Sequence, residues 1–148
     1  MKRVFCLVIA ISIIFSISGC EQVGYNEKIN NDITSYADLV KALKDKGYSS
    51  VNEIEPGKKF PSSFFSVNAR YIKIDGEIVS IYEFDSSQIA VSQADTISKD
   101  GNHVGNNYIS WVDTPHFFLQ GNLIVNYVGK NKKTLSDLNM ILDKSIVN

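Results

Sequence analysis

The chain has 148 residues with 15 Lys or Arg and 16 Asp or Glu, which gives a formal net charge of −1 at pH 7. This balance argues against nucleic acid as a partner, because neutralising phosphates requires a basic surface. The length suits one domain rather than two, and the apolar fraction of 44% is sufficient for a hydrophobic core.

The N-terminal segment has the three parts of a secretory signal. Lys2 and Arg3 supply a positive end, an apolar run covers 4–15, and small residues lead to Cys20. The apolar run is shorter than the roughly 20 residues that a membrane-spanning helix needs. We therefore expect a cleaved signal peptide in preference to a transmembrane anchor.

The four residues Ile17-Ser18-Gly19-Cys20 resemble the lipobox of bacterial lipoproteins, in which an aliphatic residue and two small residues precede a cysteine. Ile17 is a mild departure, since leucine is commoner at that place. The resemblance implies that the Cys20 thiol receives diacylglycerol and that a peptidase cleaves the chain before it. Cys20 would then be the lipid-anchored N-terminus of a mature protein on the extracytoplasmic face of the cell membrane.

The chain accordingly divides into a signal peptide over 1–19, a tether over 20–33 and a single domain over 34–148. The tether has mixed charges, several asparagines and no apolar period, so it is not expected to fold by itself. The alternative to lipidation is an ordinary signal peptide cleaved near Gly19, which would leave Cys20 as a free thiol.

The cysteine content and the charge limit the chemistry that is expected of the mature domain. The other cysteine, Cys6, lies in the signal peptide, so no disulfide or thiolate chemistry is expected beyond Cys20. Removing Lys2 and Arg3 from the 15 basic residues leaves 13, against 16 acidic residues. A polybasic membrane-binding patch is therefore not expected, and the lipid would provide the attachment to the membrane.

A helix is predicted to begin near Ser35. Ser35 and Asp38 have the spacing of a capping box, and Gly47 is a typical C-terminal stop. Apolar residues recur between these ends at the spacing of one helix face, and they are Tyr36, Leu39, Val40 and Leu43.

Three strand-forming stretches follow, and they are 48–54, 64–67 and a hairpin over 70–84. Asp75-Gly76 forms a strong two-residue turn in the hairpin, because both positions tolerate positive φ. This turn would pair Ile74 with Glu77 and would thereby set the register of the two strands.

The second half of the chain continues the same mixture of elements. The predicted elements are a helix capped by 85–87 and running to about Ile97, a strand over 108–112, a hairpin of 116–119 with 123–128, and a helix over 132–146. The resulting order is α-β-β-β-β-α-β-β-β-α. This order predicts an α+β domain with an antiparallel sheet of about six or seven strands and with helices on one face.

Three stretches of the domain resemble a group of secreted bacterial lipoproteins, and they are 64–67, the hairpin at Asp75-Gly76 and 111–129. The resemblance covers most of the mature domain. Because no established activity is attached to that group, the resemblance implies domain boundaries and no chemistry.

Asp100, His103, Asp113 and His116 are the best candidates for a metal site or a hydrolytic centre, since imidazole and carboxylate groups bind zinc. Their spacing matches no ligand pattern, and the chain has no G-x-S-x-G nucleophile elbow. We therefore predict no catalytic residue, no metal and no cofactor. The alternative is a small envelope hydrolase or metal-binding protein that uses the loops around His103 and His116.

Aromatic residues form a second candidate site. Tyr71, Tyr82 and Phe84 share one face of the first hairpin, and Trp111 lies on a neighbouring strand. Exposed clusters of aromatic residues often bind ligands, although the same residues would also suit a hydrophobic core. With Cys20 as the anchor, the sequence predicts a non-catalytic binding or accessory module at the cell envelope. Its partner would be an unknown protein, a peptide, a glycan or an apolar ligand.

Overall fold

The computed structural model describes residues 33–55 and 63–147. The predicted signal peptide, Cys20 and all of the predicted tether except Ile33 lie outside these residues. The described part contains three helices and eight strands. They are α1 (Tyr36–Asp45), β1 (Asn52–Ile54), β2 (Arg70–Ile74), β3 (Glu77–Glu83), α2 (Ser87–Ala94), β4 (His103–Val104), β5 (Asn107–Tyr108), β6 (Pro115–Gln120), β7 (Leu123–Val128), α3 (Lys132–Ile141) and β8 (Lys144–Val147).

Six strands form one sheet in the order β1-β2-β3-β7-β6-β8, and β4 and β5 form a separate two-stranded sheet. All neighbouring strands of the large sheet are antiparallel. The two hairpins, β2–β3 and β6–β7, lie side by side because β3 also pairs with β7. The α+β class and the antiparallel sheet that the sequence predicts are confirmed.

The β2–β3 hairpin has the register that its turn predicts. Ile74 pairs with Glu77, and the two turn residues, Asp75 and Gly76, have φ angles of 47° and 90°. Positive φ at both turn positions is typical of a type I′ turn, whose twist matches that of the flanking strands. This local turn therefore sets which side chains of the hairpin face each side of the sheet.

Both ends of α1 are capped as the sequence predicts. The Ser35 hydroxyl accepts a hydrogen bond from the Asp38 backbone N–H at 3.2 Å and donates one to the Asp38 carboxylate at 2.6 Å. Gly47 follows the helix with a φ of 91°, and the Tyr48 N–H donates to the Leu43 carbonyl at 3.2 Å. This is the Schellman arrangement, in which a left-handed residue lets the chain satisfy the last helical carbonyls.

Helices cover both faces of the large sheet. Successive strand residues point to opposite faces, so Val125 packs with α1 and α3, whereas Ile124 packs with α2. The sequence predicts helices on one face, and α1 and α3 follow that prediction. The short helix α2 lies on the other face, where the small side chains of Ala90 and Ala94 are buried against the sheet.

The last helix is shorter than the sequence predicts. α3 ends at Ile141, and 144–147 form β8, which pairs with β6. Phe117 and Phe118 of β6 are completely buried. A buried strand needs hydrogen-bonded neighbours for its backbone, and β8 supplies them on the outer side of β6.

Two other predicted strands are largely irregular. Residues 64–67 form bends, and within 108–112 only Tyr108 is paired, in the short strand β5. Phe65 and Trp111 from these segments pack in the same hydrophobic cluster as α2. The apolar residues that suggest strands are therefore explained by packing onto the sheet face.

Candidate binding groove

A groove of about 490 Å³ lies on the sheet face that carries α2, beside the part that the helix covers. Its floor comes from three adjacent strands, with Tyr71 on β2, Ile78 and Ser80 on β3, and Asn126 and Val128 on β7. Residues two apart on a strand point to the same side of a sheet. The regular alternation of β3 and β7 therefore builds the floor.

The walls of the groove come from outside the sheet, from Phe64 and from 109–112. Trp111 is held in place, because its Nε1–H donates a hydrogen bond to the Gly101 carbonyl at 2.8 Å. Its ring also makes edge-to-face contacts with Phe64 and Phe117, with centroids 5.4 Å and 5.9 Å apart. These contacts fix one wall against the sheet.

A short polar row crosses the apolar floor. Tyr71, Ser80 and Asn126 are direct cross-strand neighbours. Asn126 is only 2% exposed, and its amide donates to the His116 carbonyl at 3.3 Å. Within residues 33–55 and 63–147, the Ser80 hydroxyl forms no hydrogen bond. Ser80 is therefore well placed to pair with a polar group of a ligand.

The groove carries little charge. Among the described lining residues, only Glu77 has an acidic or basic side chain, and its carboxylate accepts a hydrogen bond from the Tyr127 hydroxyl at 3.2 Å. Burial raises the pKa of Tyr71, which keeps that phenol neutral. A surface of this kind favours apolar contacts over ion pairs.

The structure divides the aromatic face that the sequence predicts. Tyr71 and Trp111 line the groove. Tyr82 and Phe84 are only 1% and 2% exposed, and Phe65 packs edge-on against them, with ring centroids 4.7 Å and 6.0 Å away. These two residues belong to the same buried cluster as α2 and do not line the groove, whereas Tyr71, which is 2% exposed, does.

Several residues of the groove are not singled out by the sequence patterns, among them Ser80, Val112 and Asn126. Asn126 could have been recognised from the sequence, since it is an amide within the otherwise apolar and aromatic strand β7, and its neighbours on both sides are buried. Val112 could not have been recognised from the sequence, because its place at the rim depends on how the loop of 109–112 folds back over the sheet.

The two histidines lie in different environments. His116 is buried within β6, where its ring stacks on Tyr127 with centroids 5.9 Å apart. Its Nε2 lies 2.9 Å from the Gly129 carbonyl oxygen, which can only accept, so this nitrogen carries the proton. His103 is exposed on β4, and its ring meets that of Tyr108. His116 thus lies in the strand that the sequence predicts over 116–119, and not in a loop as the metal-site alternative assumes.

The two aspartates also have partners of their own. Hydrogen bonds from the Ser98 hydroxyl and from Asn102 lower the pKa of Asp100 to about 2. Asp113 forms an ion pair with Lys130 at 2.7 Å, which lowers the pKa of Asp113 as well. In the described part of the chain, no group of three or more His, Cys, Asp or Glu side chains is placed to hold a metal ion.

Comparison of the chain with protein-family models, with curated proteins and with solved structures finds no match. Among the described helices, none has both the length and the apolar character that crossing a bilayer requires. Inference about function therefore rests on the residues and the geometry of this chain itself.

Proposed function

We propose that the chain is a bacterial lipoprotein, anchored through acylated Cys20 to the extracytoplasmic face of the cell membrane. In this proposal the α+β domain is a non-catalytic binding module, and the groove between the sheet and the loop of 109–112 is its ligand site. The anchoring is supported by the sequence up to Cys20, and the binding role is supported by the geometry of the groove.

The observation that carries the anchoring is the order of features up to Cys20. A positive end, a short apolar run and the residues Ile17-Ser18-Gly19 precede the cysteine. This order is typical of a lipoprotein signal. A single acyl chain gives only marginal membrane binding, whereas two or more give a stable anchor, so diacylglycerol on one thiol is sufficient to hold a domain at the membrane.

The groove supports binding more than catalysis. Ser80 is the hydroxyl on its floor, and its cross-strand neighbours are Tyr71 and Asn126. Neither neighbour is a general base at neutral pH, and a serine nucleophile requires one within hydrogen-bonding reach. The groove is instead similar to ligand sites that combine apolar walls with a few polar groups.

The anchoring is tested by comparing Cys20→Ser with Cys6→Ser in the full chain. Cys6→Ser is a matched control, because it makes the same substitution inside the apolar run of the signal peptide. We expect the control to fractionate with membranes and to have the mass of a cleaved, acylated protein. Cys20→Ser should lose both the acyl mass and the membrane association.

Membrane fractionation and intact-mass spectrometry of the purified proteins provide the measurement. A Cys20→Ser protein that sediments with membranes and has the same processed mass as the wild type would refute the anchoring. An unacylated wild-type protein cleaved near Gly19 would favour the ordinary signal peptide.

A further inference from the structure

We infer that the groove binds an uncharged amphiphile, which is a small molecule with an aliphatic or aryl body and one neutral hydrogen-bonding group such as a hydroxyl or an amide. This inference rests on the proposed function, and it names the chemical class of ligand for the same groove.

The size and the walls of the groove favour a small molecule. Its volume of about 490 Å³ lies within the range of roughly 300–1,000 Å³ that is usual for small-molecule sites. Phe64 and Trp111 form aromatic walls, and Ile78 and Val128 supply apolar floor on one side of the polar row. An apolar ligand body would contact all four of these side chains.

The charge of the groove favours an uncharged ligand. No described lining residue is Lys or Arg, and the carboxylate of Glu77 is paired with the Tyr127 hydroxyl. A carboxylate or phosphate that entered the groove would lose its hydration without gaining a cationic partner among these residues. Burying an unpaired charge in this way is strongly unfavourable.

The sheet pairing disfavours an extended peptide. A peptide that binds by strand addition needs an unpaired sheet edge. The floor strands β2, β3 and β7 each have a neighbour on both sides, so their backbone groups are already paired. A peptide in the groove would leave its own backbone groups without partners, whereas an amphiphile has only one polar group to satisfy.

Ser80 provides the polar contact for that one group. Its hydroxyl lies between Tyr71 and Asn126 on the central strand of the floor, and it can donate or accept a hydrogen bond. A hydroxyl or amide on the ligand would be fixed at this point, while the apolar body lies along the walls.

The rim of the groove carries uncovered apolar surface. Val112 lines the groove and is 98% exposed, next to the half-buried ring of Trp111. A ligand whose apolar body extends past Trp111 would cover Val112 as well. The rim therefore indicates a ligand longer than the space directly above Ser80.

The chain carries its own reporter for this test, since Trp111 is its only tryptophan. The full chain with Cys20→Ser, which removes the proposed acyl chains, is titrated with N-phenylnaphthylamine, a neutral fluorescent aryl amine. Energy transfer from Trp111 to the probe then measures occupancy of the groove. Anilinonaphthalene sulfonate has the same aryl body with an added sulfonate, so it serves as the matched charged probe.

We expect the neutral probe to bind at one site and the sulfonate to bind at least roughly tenfold more weakly, because its charge has no partner in the groove. Dodecanol should displace the neutral probe, and dodecanoate at neutral pH should displace it less well. Equal binding of both probes, or displacement by maltose or by a short peptide, would overturn the ligand class while leaving the groove as a binding site.

Ser80→Phe and Ser92→Phe form the matched pair of variants. The first places a ring on the floor of the groove, and the second makes the same change at an exposed position of α2. We expect only Ser80→Phe to abolish binding of the neutral probe. If folded Ser80→Phe binds as the wild type does, the groove is not the site, and the binding part of the proposed function fails as well.

Val112→Asp is the second test, because the side chain at this position is 98% exposed and makes few contacts to lose. A carboxylate at the rim should weaken binding of the neutral probe severalfold. Unchanged binding in Val112→Asp would overturn the inference that the ligand extends over the rim. The test of Cys20 is independent of all these results, so failure of the anchoring and failure of the ligand class are distinguishable.

Discussion

The two ends of one sheet face differ in what covers them. At one end, Tyr82 and Phe84 are covered by the ring of Phe65 and belong to the same buried cluster as α2. At the other end, Tyr71 and Trp111 border an open groove. The strands alternate in the same way at both ends. The sheet itself therefore does not distinguish core from groove, and the covering segments make the difference.

The two covering segments are held in different ways. α2 is a regular helix that begins at its N-cap, Ser86, and brings the small side chains of Ala90 and Ala94 against the sheet. The wall of 109–112 is irregular and is anchored mainly through Trp111. A helix with small contact residues closes the space beneath it, whereas an irregular segment held at a few points leaves a groove.

The largest expected effect is a difference in stability between two variants that each lose a phenylalanine ring, one in the buried cluster with α2 and one at the groove. Phe84→Ala should lower the free energy of unfolding by about 3–5 kcal/mol, because it leaves a cavity in a packed core. Phe64→Ala should cost less, roughly 1–2 kcal/mol, since that side chain is half-buried and faces the groove. Urea unfolding of both variants measures the difference, and equal losses would show that the groove end is packed as tightly as the core.

A smaller loss is expected when the anchor of the groove wall is removed. Trp111→Phe keeps an aromatic ring but loses the hydrogen bond to the Gly101 carbonyl, which should cost about 1–2 kcal/mol of unfolding free energy. Binding of N-phenylnaphthylamine, followed by its own fluorescence, should weaken in the same variant. Full stability together with wild-type binding would mean that the wall is held without this hydrogen bond.

Acid should loosen the same wall through Asp100, whose pKa is lowered to about 2 from an ordinary value of 3.8 by hydrogen bonds from Ser98 and Asn102. A carboxyl with a depressed pKa stabilises the folded state above its ordinary pKa, and this contribution is lost as the pH falls toward the folded pKa. Between about pH 4 and pH 2, we therefore expect the loop next to Gly101 to loosen and the fluorescence of Trp111 to change.

Asp100→Asn is the control for this titration, because its side chain keeps one acceptor and does not titrate. Asp113 also has a lowered pKa and is common to both proteins, so only the difference between their pH profiles reports Asp100. Superimposable profiles would show that Asp100 does not support the wall.

The smallest effect is expected at the rim. Val112→Ser should change the free energy of unfolding by no more than about 0.5 kcal/mol, because a side chain that is 98% exposed makes few contacts to lose. Thermal unfolding of this variant beside Phe84→Ala sharpens the contrast between rim and core. A large loss would place Val112 in a packed environment and would contradict the open groove.

Elements built from neighbouring residues are predictable from the sequence. The register of β2 and β3 follows from Asp75-Gly76, and the start of α1 follows from Ser35, because turns and caps depend on residues a few positions apart. The large sheet and its α+β class follow from these local elements and from the alternation of the strands.

Features that depend on distant residues are not predictable in this way. β8 exists because β6 is buried and needs a neighbour, although helical spacing continues past Ile141 in the sequence. The same holds for the groove, because Trp111 becomes a wall only when its hydrogen bond to Gly101 and its contact with Phe64 hold it against Phe117 of β6. Aromatic content alone therefore predicts Tyr71 and Tyr82 equally as binding-face residues. Only the packing shows that Tyr71 lines the groove and that Tyr82 belongs to the buried cluster.

The connection between β3 and β6 is one continuous stretch, 84–114. It supplies α2, the small sheet of β4 and β5, and the wall around Trp111. Backbone hydrogen bonds join its two ends to the β6–β7 hairpin, from the Phe84 N–H to the Asn122 carbonyl and from the Gly129 N–H to the Thr114 carbonyl. In the proposed function, exchanging this insert would replace one wall of the groove and would leave the polar row of Tyr71, Ser80 and Asn126 on the six-stranded frame. The insert also contributes Ala90, Ala94 and Val104 to the buried cluster, so the same stretch shapes the groove and stabilises the fold.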